Sequence, residues 1–559
     1  MDIIYGIDLG TTNSAVAVNL NGVAEIVPVS SERTTPSVVM YNEDGSVEVG
    51  HAIYPFRYLK DVVYSSKRHM GTDKVYDLGH HKVKPYEVGG EVLKYLKRNI
   101  DSSYPKLEKA VITVPAYFTD AQRRDTMKAA EYAGIECVRI INEPTAAALC
   151  FAHNHFIENN GDKSETYLVV DVGGGTTDVT LITISYINEV PELLAEVLHP
   201  GFNFHTNATG GNNFLGGDDY DRYILEELEK ELGEEFPNRD QMLYKISSEK
   251  PSILSTSKSI TFKTKTGKTV NYDSQVAERA FMSFWNDIVK CIYECLGTRE
   301  FPSQCILVGG STKNPLIEKA IRKFYLSRYQ NDLNLIIPDT SFADESVALG
   351  AAYLAAHIAN PDATNILIKD VNPLPVGIEV VGTDALGADK DGVFLPLIDK
   401  DVSLPVNAYH NIKTTVDNQE SMSIKIFQGI NSETKYNHYM GELNVEGIEP
   451  GEAGSQQALI HLSINYEGVV SIEATYNDKV TKLSLSSVLG CDQSKIKKLS
   501  IKDRINKGFM GKAISYFKQH GMTDLEEMAK AWNIGQPIPP EIEELRETIN
   551  TTFTAEINV

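Results

Sequence analysis

The sequence has few cysteines, no long apolar run and fewer basic than acidic residues. Its six cysteines, among 559 residues, show no spacing typical of disulfides, which favours a reducing compartment and indicates the cytoplasm. The longest apolar-rich stretch, 347–359, contains His357 and is too short to cross a bilayer. A net charge of −23 disfavours nucleic acid and anionic membranes as main partners, because their phosphates attract basic surfaces.

Two further absences concern secretion and metal binding. No signal peptide is expected, since Met1-Asp2-Ile3 leads directly into an apolar strand pattern. Cys291 and Cys295 lie one helical turn apart, but no histidine or further cysteine nearby completes a metal-binding set. We therefore expect buried thiols here in preference to a metal site.

Length and periodicity predict several domains with different folds. A chain of 559 residues is too long for one hydrophobic core and suggests two to four domains. With 42% hydrophobic and 23% charged residues, the composition is typical of soluble globular proteins. Residues 1–360 alternate strand-like and helix-like segments, the pattern of an α/β fold. Short alternating runs from 371 to about 487 predict a β-sandwich, and helix-like segments follow at 499–520 and 540–550.

Two stretches, 4–14 and 168–178, repeat one pattern: an apolar strand, an aspartate, a Gly/Thr turn and a second strand. The residues after each turn, 15–18 and 179–182, are apolar or β-branched, so a strand follows and not a helix. This argues against Rossmann and P-loop sites, in which a helix begins after the glycines. The repeat therefore predicts a duplicated, two-lobed phosphate-binding protein.

Each Gly/Thr turn is suited to bind phosphate. Glycine lets backbone N–H groups approach a polyphosphate closely, and the neighbouring threonine hydroxyls are further donors. Asp8 and Asp171 would face the same triphosphate from opposite lobes, so a hard cation such as Mg²⁺ is implied between them, held through water. Either turn taken alone is equally explained as an ordinary hairpin turn, since glycine-rich turns are common.

A third motif, 305–312, is an apolar strand that ends in glycines. Together with Pro338-Asp339 and 344–352, the series resembles the superfamily of actin, sugar kinases and heat-shock ATPases, in which the third motif lies against adenosine. The resemblance narrows to the DnaK-type, seventy-kilodalton heat-shock protein family, over about positions 3 to 490. The strings that carry it are 114–123, 140–149, 215–221, 417–419 and 427–429.

The resemblance implies an architecture and a function. The expected fold is an α/β actin-like (ribonuclease H-like) two-lobed ATPase at 1–360, a linker at 361–370, a β-sandwich peptide-binding domain at 371–489 and a truncated α-helical lid at 490–559. The implied activity is hydrolysis of ATP to ADP and phosphate, coupled to binding and release of extended apolar segments of unfolded proteins. The implied cofactors and partners are Mg²⁺, with K⁺ as a further candidate, and a J-domain co-chaperone. The segment 366–370 is alternatively a plain strand that opens the sandwich.

The resemblance also assigns residues to catalysis and nucleotide binding. Lys67 would orient the attacking water and the γ-phosphate, and Asp8 and Asp171 would hold Mg²⁺ through water. The catalytic set is Lys67, Glu143, Asp171, Thr176, Asp8 and Thr11. The expected nucleotide contacts are Gly10, Thr11, Thr12, Asn13, Lys67, Gly173, Gly174, Gly175, Thr176, Glu249, Lys250, Ser255, Gly309, Gly310, Ser311, Thr312 and Asp344. From the residues alone, Lys67 would be a solvated surface lysine and Glu143 a capping acid at a helix start.

Two more sets of residues follow from the resemblance. Positions that relay the nucleotide state to the linker and the J-domain contact are matched by Pro115, Arg123, Arg139 and Asp370. The expected peptide groove is formed by Ile378, Val380, Val381, Ile412, Thr415, Met422 and Ile424. About half of these groove positions are equally explained as sandwich core, since alternating apolar residues face inward in any sandwich.

Four departures from the family pattern modify these expectations. The segment 247–255 (the adenosine segment) stands in place of the family's helical adenosine clamp. It keeps Glu249 and Ser255 but inserts Pro251 and lacks one basic residue that stacks on the base, so weaker nucleotide affinity is expected. Shorter stretches at 67–91 and 217–309 leave the docking of a nucleotide exchange factor unassigned. A truncated lid should speed peptide exchange. The C-terminus lacks the acidic tail that recruits tetratricopeptide partners.

Three functions compete at this level. The leading hypothesis is an ATP-driven peptide-binding chaperone. The second is a non-cycling relative, a nucleotide-dependent holdase or exchange partner of another chaperone, which would bind ATP tightly without stimulated turnover. The third is a small-molecule kinase of the same superfamily, which would lack the β-sandwich and would need an aspartate base at a sugar pocket.

Overall fold

The computed structural model describes residues 3–155, 163–187, 201–256, 258–264, 266–329, 334–336, 342–361, 366–383 and 389–483, with four single positions beyond 483. The chain divides into two compact units, 1–320 with 334–491, and 321–333 with 492–559. The lid and both helical segments predicted for it lie outside the described residues apart from those single positions. Pro338-Asp339 and Cys491 also lie outside them.

The secondary structure alternates strands and helices in the N-terminal part and consists of strands after residue 366. The helices within the described residues are α1 (Pro85–Asn99), α2 (Asp120–Tyr132), α3 (Glu143–His155), α4 (Gly217–Leu232), α5 (Arg239–Ser255), α6 (Ser274–Leu296), α7 (Pro315–Tyr329) and α8 (Phe342–Ala359). The strands are β1 (Ile4–Asp8), β2 (Asn13–Leu20), β3 (Val23–Ile26), β4 (Thr35–Pro36), β5 (Val38–Tyr41), β6 (Val47–Val49), β7 (Val62–Tyr64), β8 (Tyr76–Asp77), β9 (Lys82–Val83), β10 (Lys109–Val114), β11 (Glu136–Asn142), β12 (Lys163–Val172), β13 (Thr177–Ile187), β14 (Gly201–Asn212), β15 (Ile260–Lys263), β16 (Thr269–Tyr272), β17 (Gln304–Val308), β18 (Asn334–Ile336), β19 (Ile366–Lys369), β20 (Val376–Thr383), β21 (Asp389–Ile398), β22 (Val406–Lys413), β23 (Ser421–Gln428), β24 (His438–Glu446), β25 (Gln457–Ile464), β26 (Val470–Tyr476) and β27 (Lys479–Leu483). Short 3-10 helices lie at Tyr54–Phe56, Ser66–His69, Gly310–Lys313 and Thr434–Tyr436.

Local sequence signals set the starts of two long helices. Helix α2 begins at a capping box: the N–H of Gln122 donates to Thr119 Oγ1 (3.4 Å), and the N–H of Thr119 donates to Gln122 Oε1 (3.0 Å). Helix α6 begins after Asp273, whose carboxylate accepts from the N–H groups of Gln275 and Val276 (3.0 and 3.1 Å). These side chains satisfy backbone donors that have no partner within the helix.

Two sheets share one topology, the first built from residues 3–142 (the first half) and the second from residues 163–336 (the second half). Five strands of the first sheet have the order β3-β2-β1-β10-β11, and five of the second have the order β14-β13-β12-β17-β18. In each, three strands form an antiparallel meander and two more run parallel to its first strand. The shared order agrees with the repeat in the sequence, and the predicted α/β class is confirmed for this part of the chain.

Helices α3 and α8 pack against each other between the two sheets. Helix α8 lies on β1 and β2 of the first sheet, and α3 lies on β12 and β13 of the second. Small residues allow the close approach. A β-carbon added at Gly350 of α8 would lie 1.8 Å from the carbonyl oxygen of Ala146 of α3, and one added at Gly6 would lie 2.3 Å from the backbone nitrogen of Ala352. The crossing therefore holds the two sheets together through backbone-to-backbone contact.

We expect Gly350→Ala to lower the free energy of unfolding by about 2 kcal/mol, because the new methyl group cannot fit without separating α3 from α8. In an unobstructed helix the same change would stabilise by about 0.5–1 kcal/mol. The matched control is Gly89→Ala in α1, where the one close neighbour of the added carbon among the described residues is the end of the Met70 side chain, at 2.6 Å. Urea unfolding of both variants measures the difference. Equal stabilities would contradict the close crossing.

The segment predicted as a linker forms an edge strand of the second sheet. Strand β19 pairs in parallel with β14, so that Ile366 lies opposite Phe202 and Lys369 opposite His205. The segment is thus a strand, but it belongs to the second sheet and does not open the sandwich. Its role as a linker stays a prediction. Asp370 follows directly.

The residues after 370 form two four-stranded antiparallel sheets. Their orders are β21-β20-β23-β24 and β22-β25-β26-β27. Apolar side chains of both sheets, among them Ile426, Leu443, Leu462 and Ile472, share one buried core, as expected of a β-sandwich with alternating inward residues. In the described part of the chain, none of the helices has the length and apolarity that a membrane crossing requires.

Candidate functional site

The two Gly/Thr turns, which follow β1 and β12, contact each other. A β-carbon added at Gly174 would lie 1.7 Å from Thr12 Oγ1, and one added at Gly175 would lie 2.3 Å from Thr11 Cγ2. The N–H of Gly173 donates to the carbonyl of Thr176 (2.9 Å), which closes the second turn. Glycine is therefore required at both positions. The structure brings together the phosphate-turn residues of the two halves.

The first turn is similarly tight. A β-carbon at Gly10 would lie 1.9 Å from the carbonyl oxygen of Asn13. Thr11 is buried, and no described group bonds the buried Thr12 Oγ1. A buried hydroxyl without a partner is costly, so this oxygen is available to a ligand.

The third turn, which follows β17, packs against the second. Gly309 has φ +86°, and a β-carbon there would lie 2.4 Å from Asp171 Oδ1. Ser311 Oγ donates to the carbonyl of Gly173 (2.8 Å). Behind this turn Lys313 forms an ion pair with Asp344, next to Gly310. All three sequence motifs thus meet at one place.

Lys67 and Glu143 form a buried ion pair beside these turns. The Lys67 Nζ donates to Glu143 Oε1 at 2.6 Å, and Lys67 is only 3% exposed. Lys67 lies in the 3-10 helix Ser66–His69 and Glu143 is the first residue of α3. The surface position that the residues alone suggested for Lys67 is therefore wrong, because its charge is paired within the protein.

Three aspartates lie in the same buried region and hold their protons more tightly than usual. Burial, reinforced by repulsion from Glu143, raises the pKa of Asp8 to about 7, although Lys67 and the hydroxyl of Thr113 (2.9 Å) favour its charged form. Burial and the neighbouring carboxylates likewise raise the pKa of Asp171 well above its usual value. With Glu143, these aspartates place four carboxylates, which disfavour one another's charged forms, around one lysine.

Asp178 is the third of these aspartates and was not selected from the sequence. It lies opposite Asp171 in the β12–β13 pair and accepts from the N–H of Tyr117 (2.9 Å). Burial, followed by Glu143, raises its pKa to about 7. The only sequence signal was its place at the end of the repeated motif.

Ion pairs also connect the two halves near the turns, and no motif in the sequence indicates them. The Arg68 guanidinium donates to Asp219, which Arg222 also contacts, and Ser65 Oγ donates to Asp218 (2.8 Å). Arg68 and Ser65 belong to the first half, whereas the aspartates begin α4 of the second. These contacts depend on residues about 150 positions apart, so no local pattern could reveal them.

The predicted adenosine segment is helical throughout. Helix α5 continues through Pro251 to Ser255, although proline has no N–H to donate within the helix. Lys250 pairs with Asp221 (2.7 Å) and donates to the carbonyl of Gly217 (3.3 Å). Glu249, by contrast, pairs with an exposed lysine, Lys258 (2.6 Å), and Ser255 Oγ donates to the carbonyl of Pro251 (2.7 Å). Among the three predicted contacts, Lys250 alone is tied to the wall near the phosphate turns.

Two of the proposed coupling residues lie at junctions: Arg123 where α2 contacts the sandwich, and Asp370 at the end of β19. Arg123 of α2 is buried and donates to Asn142 Oδ1 (2.8 Å) and to the carbonyl of Glu467 in the sandwich (3.2 Å). Asp370 Oδ1 accepts from the hydroxyls of Thr145 and Thr206, each at 2.8 Å.

The other two coupling residues flank this contact. Pro115 follows β10 directly and precedes α2. Arg139 of β11 has its guanidinium 5.9 Å from the ring of Tyr466 in the sandwich. The four predicted coupling residues thus lie at or next to the elements that contact the sandwich or end at β19.

Helix α2 makes further contacts with the sandwich that the sequence did not predict. Asp120 Oδ1 accepts from the N–H of Val470 (2.7 Å), and the Asp120 N–H donates to Gln428 Oε1 (3.1 Å). Arg124 Nη2 donates to the carbonyl of Val470 (2.6 Å). A carboxylate and a guanidinium thus hold both backbone groups of one sandwich residue.

The predicted groove residues divide between core and surface. Three of them, Ile378, Met422 and Ile424, are buried in the sandwich core. Val380 and Ile412 are partly buried against the same core. Val381, at 55% exposure, and Thr415 are exposed. The three buried residues thus fit the alternative that about half of the set belongs to the sandwich core.

The loop that contains Thr415 is held by the Asp417-Asn418-Gln419 motif. Gln419 Oε1 accepts from the N–H of Thr415 (2.8 Å), and Gln419 Nε2 donates to the carbonyl of Ser421 (2.7 Å). Asp417 Oδ1 accepts from the N–H of Ala453 (2.8 Å). The motif therefore fixes the backbone at one end of the predicted groove.

Cys291 and Cys295 are buried thiols, as expected from the sequence. Burial raises the pKa of Cys295 to about 12 and that of Cys291 further still, so both are protonated at neutral pH. Within the described residues, no group of three or more His, Cys, Asp or Glu side chains is placed to bind a metal ion.

His69 makes stability depend on pH. Its ring lies near Tyr76 and Phe214, and burial, with repulsion from Lys74 and Arg68, lowers its pKa from 6.5 to about 4. Because the unfolded chain takes up this proton more readily, His69 costs the folded protein stability as pH falls from about 6.5 towards 4.

We expect His69→Phe, which keeps a ring but cannot titrate, to reduce the loss of thermal stability between pH 7.5 and pH 5. Calorimetry at the two pH values measures the loss. Replacement of the exposed His51 by Phe is the control and should leave the loss as in the wild type. Equal losses in wild type and His69→Phe would show that His69 is not buried in its neutral form.

Comparison with known proteins identifies the family. The family model described as Hsp70 protein matches residues 4–507. The Chaperone protein DnaK of Metamycoplasma hominis is 32% identical over an alignment that covers 98% of this chain and 92% of that protein. The proteins of the same name from Thermotoga petrophila and Mycoplasmopsis pulmonis are each 33% identical over 85% of this chain, and over 78% and 76% of their own lengths.

These matches define an ATP-dependent molecular chaperone: an ATPase that binds nucleotide and unfolded polypeptides. The chain belongs to the Hsp70 family, as its motifs had indicated. The small-molecule kinase is thereby removed from the alternatives.

Proposed function

We propose that the three turns form the nucleotide site of a two-lobed, actin-like ATPase domain, residues 1–360. The first and second turns bind the phosphates through backbone N–H groups and the hydroxyls of Thr11, Thr12 and Thr176, and the third lies against adenosine. The single observation that carries this proposal is the contact between the turns of the two sheets, at Gly174 and Thr12. Because the two turns lie against each other, their backbone N–H groups and threonine hydroxyls can bind the same polyphosphate.

Asp8 and Asp171 hold Mg²⁺ through water in this proposal. The raised pKa values of both carboxylates support it. Burial and the neighbouring Glu143 disfavour their charged forms, and a divalent cation would favour them. When bound, Mg²⁺ supplies positive charge to the phosphates. Glu143 orients Lys67, whose buried ammonium group positions the attacking water and stabilises charge on the γ-phosphate.

The sandwich, residues 371–489, binds extended apolar segments of unfolded proteins. Val381 and Thr415, the exposed members of the predicted groove, would contact the peptide, and the partly buried Val380 and Ile412 would form the floor. Backbone hydrogen bonds to the peptide would supply affinity that does not depend on its sequence. Residues 490–559 would serve as the lid.

Nucleotide state reaches the sandwich through α2, Asp370 and β19 in this proposal. Arg123 supports the route, because it contacts both Asn142, next to Glu143, and the sandwich residue Glu467. Residues 361–370 would act as the linker, and a J-domain would bind near Arg139 and Asp370.

A single-turnover assay tests the proposed function. ATP hydrolysis is measured with and without an apolar heptapeptide and a J-domain. We expect both additions to raise the rate of hydrolysis, and ATP to speed peptide release. Tight ATP binding without stimulation would instead support the non-cycling alternative.

A further inference from the structure

A cavity of about 470 Å³ lies between residues 57–78 of the first half and residues 218–247 of the second. We call it the outer cavity. Its wall includes Arg68, the residue after Lys67. The Arg68 Nε lies 2.7 Å from the position that a β-carbon on Gly175 would occupy. Arg68 therefore lies between the outer cavity and the second phosphate turn.

Two buried donors in this wall lack an acceptor. Arg68 is 8% exposed, and its Nη2 donates to Asp219, but no described group accepts a hydrogen bond from its Nε. The hydroxyl of Tyr76, also in the wall, is buried and has no hydrogen-bond partner among the described residues. Unsatisfied buried donors carry a cost in free energy, which a ligand with acceptor oxygens would remove. A guanidinium group binds oxyanions especially well.

The charges that line the outer cavity favour an anion. The cationic side chains are Arg57, Lys60, Arg68, Lys74 and Arg222. Of its four carboxylates, Asp77 and Asp221 are already paired with lysines outside the lining, Lys82 and Lys250. Asp219, also outside the lining, is shared by Arg68 and Arg222. Counted with these partners, cations outnumber carboxylates, so the cavity attracts negative charge.

We propose that the outer cavity is the exit route of the inorganic phosphate that ATP hydrolysis releases, and that Arg68 Nε is the first group to bind this phosphate as it leaves the cleft. The inference depends on the proposed nucleotide site. The cavity is much larger than one phosphate ion, which fits a passage better than a tight binding site. Because the Arg68–Asp219 pair joins the two halves, separation of the halves would widen the passage.

A pair of neighbouring substitutions on α5 tests the route. Ser247 lines the outer cavity, whereas Ser248 is exposed and does not line it. Ser247→Trp would fill the passage, and Ser248→Trp is the matched control. In single-turnover experiments, acid quenching measures cleavage of the phosphate bond, and a fluorescent phosphate sensor measures phosphate in solution.

We expect Ser247→Trp to release phosphate about tenfold more slowly than it cleaves ATP, whereas in Ser248→Trp release should follow cleavage as it does in the wild type. Phosphate release at the wild-type rate in Ser247→Trp would overturn the proposed route. Absence of cleavage in the wild type would instead contradict the proposed function, so the two failures are distinguishable.

A second variant keeps the proposal testable if Ser247→Trp does not fold. Arg68→Gln removes the cation and its Nε donor. Added inorganic phosphate should slow the turnover of the wild type by rebinding in the cavity, and this inhibition should be weaker in Arg68→Gln. Equal inhibition of both proteins would contradict the role of Arg68.

Discussion

Lys67→Ala is expected to lower the rate of single-turnover ATP hydrolysis by about 10²–10³-fold, the usual cost of removing one charge-stabilising donor from an active site. The reason is its position. The ammonium group lies beside the meeting turns, is almost fully buried and is held at 2.6 Å by Glu143. Its loss would also leave three aspartates and a glutamate with no lysine among them. Acid-quench kinetics with radiolabelled ATP measures the effect.

The control for this prediction is another lysine of the same half. Lys82 has a side chain that is 71% exposed and pairs with exposed Asp77, so Lys82→Ala should hydrolyse ATP at the wild-type rate. Nucleotide affinity, measured by calorimetry in both variants, separates loss of binding from loss of chemistry. A Lys67→Ala protein that binds and hydrolyses ATP as the wild type does would remove Lys67 from the catalytic set.

Asp370→Asn is expected to reduce the acceleration of peptide release by ATP about tenfold. The carboxylate accepts hydrogen bonds from Thr145 of α3 and Thr206 of β14 and stands at the end of β19. Hydrogen bonds to a charged group contribute about 1.5–3 kcal/mol, so a neutral amide would hold β19 less firmly in the second sheet. Stopped-flow release of a fluorescent peptide, with and without ATP, measures the effect.

Asp478→Asn provides a control with the same chemical change. Asp478 is exposed, in a turn of the sandwich, and its φ of +62° is a conformation that asparagine also adopts readily. It should leave ATP-driven release unchanged. If Asp370→Asn also releases peptide as the wild type does, β19 and Asp370 do not carry the signal.

Much of the fold could be predicted from the sequence because its signals are local. The repeated strand, aspartate and glycine turn predicted two related sheets, and the two sheets share one strand order. The change to short alternating runs after residue 370 likewise predicted strands. The sequence also predicted that both turns face one ligand, and the turns do lie in contact at Gly174 and Thr12.

The missed features depend on contacts between distant residues. Arg68 with Asp219 and Asp120 with Val470 join positions about 150 and 350 apart, and a surface arginine or aspartate has the same local sequence as one of these. Asp178 was overlooked because burial, which raises its pKa, is a property of the packed sheet. The strand partner of 366–369 was equally hidden, since a short apolar run does not indicate which edge it joins.

The most direct test of the account is a crystal structure with Mg²⁺ and a non-hydrolysable ATP analogue. We predict that the phosphates lie between the turn of Gly10–Asn13 and the turn of Gly173–Thr176, bonded to backbone N–H groups of both. The metal should be linked through water to Asp8 and Asp171, and Lys67 should lie near the γ-phosphate. A triphosphate bound to only one of the two turns, or elsewhere on the protein, would contradict the central claim.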